Sequence, residues 1–170
     1  WINKYLNSSH FRITDVDPDG NCFFYVVRDS MNSVGNKYTI GDLRKMLLKY
    51  PKLKDTYLTE RKIIDDALKE IEVNEIKYKE CTDKLKKKSV KTSLDKEEYK
   101  EDCKIFKENV TNARVLLEPF IDIKDLDTFK KYKDYILENK CWAKEWSIEH
   151  IENILNIKVI IFNQYNYEHP

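Results

Sequence analysis

Glycine and proline are scarce, three and four in 170 residues. An all-β fold built on many tight turns needs more of both, so the composition leans helical. A charge excess is also missing. There are 31 Lys and Arg against 30 Asp and Glu, a formal net charge of +1. A dedicated nucleic-acid binder shows a strong basic surplus, so no nucleic-acid partner is expected. No apolar run approaches the roughly 20 residues of a membrane span, so no membrane partner is expected either. Nothing at the N-terminus resembles a signal peptide. The chain starts at Trp1 rather than Met and stops at Pro170 soon after an apolar run. Both ends suggest a piece of a longer protein.

Cysteine is limited to Cys22, Cys81, Cys103 and Cys141, with no CxxC pair to suggest a zinc knuckle or a redox motif. No metal or cofactor is called for. The pattern suits an intracellular, reducing compartment. Cys81 and Cys103 fall on apolar helix faces and read as inert core thiols, as does Cys141 beside Trp142.

What is present is helical periodicity. Two long runs, 60–88 and 94–117, place an apolar or small residue every three or four positions. The first carries Ile64, Ala67, Ile71, Asn74, Tyr78, Cys81 and Leu85; the second carries Tyr99, Cys103, Phe106, Val110, Ala113 and Leu117. A short polar break, Ser89–Ser93, separates them and Pro119 ends the second. Such a pair folds back as an antiparallel hairpin, an insert at about 58–118. Its lysine-rich tip, Lys84 to Lys91, reads as a solvated end. Shorter amphipathic helices are expected at 126–138, through Leu126, Phe129, Tyr132 and Ile136, and from Trp142 to Leu155, with Ile148, Ile151, Ile154 and Leu155 inward. Ile157–Phe162 has the pattern of a buried strand, followed by a turn at 163–166.

The N-terminal part is more varied. Phe11–Ile13 is β-like, and Asp15–Asn21 is rich in turn-forming residues. The apolar stretch from Cys22 to Met31 has β-propensity but also helical spacing at Phe23, Val26, Val27 and Met31, and is assigned as a helix. Thr39-Ile40-Gly41-Asp42 forms a capping box for a helix that buries Leu43, Met46 and Leu47 and stops by Pro51.

The chemistry concentrates at Asp19-Gly20-Asn21-Cys22-Phe23-Phe24. A thiol attacks as its thiolate. A helix N-terminus offers positive potential and free N–H groups, which can also hold the oxyanion formed when a carbonyl is attacked. Gly20 allows a sharp turn and a close backbone approach. An ordinary buried Cys after a turn would look the same locally, and that reading stays open.

This segment resembles the nucleophile motif of the ovarian-tumour (OTU) family of cysteine deubiquitinases. Asp42-Leu43-Arg44 is similar to the family's Leu-Arg segment. Trp142-Ala143, Trp146-Ser147-Ile148, Ile154-Leu155 and Ile157–Phe162 resemble its Trp-helix-strand block. The likeness covers 11–49 and 120–163 and is nearest to OTU-like proteases of large DNA viruses. It implies a single α+β, papain-like domain with a small sheet between helices, interrupted by the helical hairpin. It implies hydrolysis of isopeptide or peptide bonds after the C-terminal glycine of ubiquitin, by a monomer acting on ubiquitin or polyubiquitin. Cys22 would be the nucleophile, Asp19 would hold the loop or assist the oxyanion, and the N–H groups of Gly20, Asn21 and Cys22 would donate to it. The family's general-base His has no clear counterpart among His10, His150 and His169; His169 follows the apolar run too soon, and a position beyond Pro170 is expected. Two other readings stand beside this one: a ubiquitin-binding relative without the chemistry, and a coiled-coil interaction module.

Overall fold

A computed structural model of the chain describes residues 1–6, 10, 13–86, 93–162, 165 and 168–169. Among them there is no strand and no sheet; the architecture is all-helical. The expected α+β, papain-like fold is therefore corrected. Helices run as α1 (Ile2–Leu6), α2 (Cys22–Ser33), α3 (Ile40–Leu47), α4 (Leu53–Lys86), α5 (Ser93–Leu117), α6 (Phe129–Ile136) and α7 (Glu145–Leu155), with a 3-10 turn at Glu118–Phe120. The chain divides into two compact units, Trp1–Pro51 with Lys133–Pro170, and Lys52–Tyr132.

The second unit is a helical hairpin. Contacts between Cys81 and Cys103, Asn74 and Asn109, and Glu75 and Arg114 step in opposite directions along the two helices, which fixes an antiparallel register. The seam is the apolar periodicity itself: Leu53, Tyr57, Ile64, Ala67 and Cys81 are buried on α4, and Cys103, Val110, Ala113 and Leu117 on α5. Helix α4 starts well before residue 60, with Leu53 and Tyr57 extending the stripe. Glu60 is buried within it, and the Tyr132 hydroxyl donates to its Oε2 at 2.9 Å. Cys81 and Cys103 are buried as expected, yet they are joined as a disulfide, with Cα atoms 5.9 Å apart. The reading of inert, separate thiols is corrected. The expected break at Ser89–Ser93 lies almost wholly outside the described residues.

The first unit is built on α2, α3 and α7. Helix α3 carries the expected capping box: Asp42 N donates to Thr39 Oγ1 at 3.1 Å, and Thr39 N donates to Asp42 Oδ2 at 3.0 Å. The Thr39 donors hold the Asp42 carboxyl below its ordinary range. Leu43, Leu47, Phe24, Val27 and Ile151 form the core. On α2 it is Phe24 and Val27 that are buried, while Val26 faces solvent. On α7, Ile154 is 42% exposed, not inward.

The segment expected as a buried strand is neither a strand nor buried: Ile160 and Ile161 are each 71% exposed. Two of its backbone donors, those of Ile157 and Val159, go to the preceding helix. Asn156 turns into the left-handed region at φ 50°, as a helix-ending Asn does, and Ile157 N then donates to Glu152 O at 3.1 Å. Val159 N donates to Glu152 Oε1 at 2.7 Å. An apolar run becomes a strand only when a ladder takes those groups, and here α7 takes them. In the β-like piece at 11–13, Phe11 and Arg12 lie outside the described residues and Ile13 is not in a strand. The turn at 163–166 lies outside them apart from Tyr165.

Candidate functional site

Asp19, Gly20, Asn21 and Cys22 form one turn that ends on the first residue of α2. Asp19 ties the turn together. Asn21 N donates to Asp19 Oδ1 at 2.8 Å, and Cys22 N donates to Asp19 O at 3.1 Å. The Asn21 side-chain amide reaches Asp19 Oδ2 at 3.4 Å. This is an Asx-type turn, the geometry Asp favours when two backbone residues must reverse. Of the three expected oxyanion donors, Asn21 N and Cys22 N are thus engaged within the turn. The first-turn N–H groups of Phe23 and Phe24 have no partner among the described residues, as expected at a helix start without a side-chain cap.

Cys22 is half-buried with a free thiol, and its Sγ makes no hydrogen bond among the described residues. Gly20 is buried tightly against the segment before α7. A Cβ there would collide with the Asn139 carbonyl oxygen and lie 2.7 Å from the Lys140 carbonyl carbon. Only glycine permits that approach.

The centre of the arrangement is Arg44, which is 2% exposed. Its Nε and Nη2 donate to Asn21 Oδ1 at 2.9 and 2.8 Å, and Nη2 also donates to Gly20 O at 2.9 Å. Nη1 donates to Ile136 O at 2.7 Å and Nη2 to Cys141 O at 3.0 Å. The guanidinium lies 4.4 Å over the Phe24 ring. Burial pulls its pKa below the ordinary arginine value, opposed by Cys141, Asp19 and Tyr135. Sequence reasoning placed Leu43 and Met46 on the buried face of α3 and gave Arg44 no role in the site. The one signal was the Leu-Arg likeness, because an arginine on an amphipathic helix ordinarily faces water.

The histidines are placed elsewhere. His150 is buried on α7, its Nε2 3.2 Å from Met46 O and its ring edge-on to Tyr50 at 5.0 Å. His169 is exposed, with Nδ1 3.1 Å from Tyr165 O and its ring stacked on Tyr165. His10 is exposed. Cys141, the other cysteine outside the disulfide, is half-buried rather than a core thiol. No group of three or more His, Cys, Asp or Glu side chains is arranged to hold a metal among the described residues. No helix among them is long and apolar enough to cross a membrane.

The arrangement presents a thiol at a helix N-terminus, on a turn fixed from two sides, with two backbone donors beside it. Those are the parts that attack a carbonyl and hold the resulting oxyanion. No family model, curated relative or solved structure matches the chain.

Proposed function

We propose that the chain is a thiol-dependent hydrolase of isopeptide and peptide bonds at the C-terminus of ubiquitin, with Cys22 as nucleophile. The supporting observation is the turn Asp19–Cys22, fixed by Arg44 and Gly20 so that Cys22 opens α2 beside the unpartnered N–H groups of Phe23 and Phe24. The choice of ubiquitin rests on the resemblance of Asp19–Phe24 to the OTU nucleophile motif; the papain-like sheet is no part of it. In the reaction the Cys22 thiolate adds to the carbonyl carbon of the terminal glycine, and the N–H groups receive the oxyanion. Collapse expels the amine, which takes a proton, and water then hydrolyses the thioester. Asp19 acts by holding the turn. The chemistry also requires an imidazole to take the thiol proton and return it to the leaving amine.

The test is intact mass after incubation with ubiquitin carrying a C-terminal electrophile. One adduct on Cys22, absent from Cys22→Ala, is expected, together with release of a fluorogenic amine from ubiquitin's C-terminus. Labelling of Cys141 instead, or turnover undiminished in Cys22→Ala, refutes the assignment. A second reading, an interaction module, is favoured by the exposed Val115, Leu116 and Ile121 at the end of the hairpin. It predicts no adduct at all while the Cys22 thiol stays accessible to small reagents.

A further inference from the structure

We propose that Arg44 is the positioning residue of the Cys22 site, setting the turn before α2 and the segment 136–141 in one fixed register. The inference rests on the proposed role of Cys22. A guanidinium carries five N–H donors in a rigid plane. Here that plane spans Gly20 O and Asn21 Oδ1 on one segment and Ile136 O and Cys141 O on the other. The four oxygen acceptors are all neutral, and the buried charge is met further by the Cys141 side chain, the Asp19 carboxylate and Tyr135. Burying a cation in this way costs desolvation that a well-packed apolar side chain would not incur. What the arginine supplies in return is geometry, because no apolar side chain fixes four acceptors at once.

Lysine cannot take its place. An ammonium is a compact donor without the planar fork that here spans both segments. The capping box at Thr39 and Asp42 and the buried Leu43 and Leu47 fix the helix from which Arg44 projects. The Phe24 ring beneath the guanidinium belongs to the first turn of α2, so the same residue touches the turn and the helix that carry the thiol.

The test uses the whole chain with Arg44→Lys, and Asn21→Ala as a second variant that keeps the arginine and removes one acceptor. Adduct formation with the C-terminal ubiquitin electrophile is expected to slow by roughly ten- to a hundredfold, the range for an ångström-scale misplacement. Alkylation of Cys22 by iodoacetamide, which needs no aligned donors, is expected to change by less than about threefold. A purely structural role would move both rates together or neither, and either result overturns the inference. If Arg44→Lys does not fold, Asn21→Ala carries the same comparison. If the unaltered chain forms no ubiquitin adduct, the hydrolase reading fails, and positioning is read from amide exchange. Faster exchange at both 21–24 and 137–141 in the variant supports it; a change in one segment alone, or in neither, overturns it.

Discussion

Gly20→Ala is the sharpest perturbation of the site, because its two possible effects have opposite signs. Gly20 does not have positive φ, so alanine can adopt its backbone conformation. Without a steric conflict the substitution would stabilise by about 0.4–1 kcal/mol, through a less disordered unfolded chain. The structure predicts the reverse. The added Cβ would stand 2.7 Å from the Lys140 carbonyl carbon and closer still to the Asn139 oxygen, where ordinary contact begins near 3.4 Å. Both are backbone atoms and cannot rotate away, so the segment must withdraw by about 1 Å or more, the Asn139 oxygen setting the distance. A shift of that size along the bond would take the 3.0 Å contact from Arg44 Nη2 to Cys141 O beyond hydrogen-bond range. Overpacking costs about 1–3 kcal/mol, and a lost bond to a buried cation about 1.5–3 kcal/mol. After the unfolded-state gain, a net loss of about 2–5 kcal/mol remains, a large share of the roughly 5–15 kcal/mol that holds a domain together. Chemical denaturation of the whole chain measures it, with amide exchange at 21–24 and 137–141 as the local readout. A stability equal to or above that of the unaltered chain would refute the close-approach argument.

Three further outcomes follow from the α3 cap and the cross-link. Thr39→Ala should cost about 1 kcal/mol by removing the cap of α3. Because the Asp42 carboxyl is depressed in the folded chain, its contribution is complete above the ordinary carboxylate pKa and is lost as pH falls through the lowered one; protection of the first-turn amides of α3 should fall with it on acid titration. Joining Cys81 to Cys103 closes a loop with a sequence separation of 22, worth about 3 kcal/mol in chain entropy. Reduction, or Cys103→Ser, should lower the melting temperature of the hairpin, and an unchanged melt under reductant would count against the link.

The hairpin was legible because its stripe is long and its alternatives few. Ile64, Ala67, Val110 and Ala113 repeat at a period no strand can use, and nearest-neighbour packing satisfies it. The capping box was legible for the same reason, since Thr39 and Asp42 act within one turn. Ile157–Phe162 misled because an apolar run states only what its side chains prefer, whereas a strand depends on a ladder partner remote in sequence. Glu152, five residues before Ile157, was the local competitor, and its acceptance of the Val159 N–H is not visible as a pattern. Arg44 was hidden for a related reason. Its partners Ile136 and Cys141 lie 92 and 97 positions away and contribute main-chain oxygens, which any residue type provides. The turn at Asp19–Cys22 was readable as local chemistry, but which of its N–H groups stay open was decided by the Asp19 carboxylate and carbonyl.

The hairpin brings its own chain back. Tyr132 packs on Tyr57 and bonds Glu60, so the polypeptide leaves this unit beside the place where it began it. For the bonds Arg44 makes, this turns a long tether into a short one. As a flexible loop, the whole 92-position separation of Arg44 and Ile136 would count toward closure. Once 53–132 is folded, roughly a dozen remain free, and the entropic cost falls by about 2 kcal/mol. With 53–132 folded the insert acts as a splint, and the two segments that meet at Arg44 search for each other over a short span. By the same arithmetic, a longer or shorter arm would leave that search almost unchanged, provided its two ends still met.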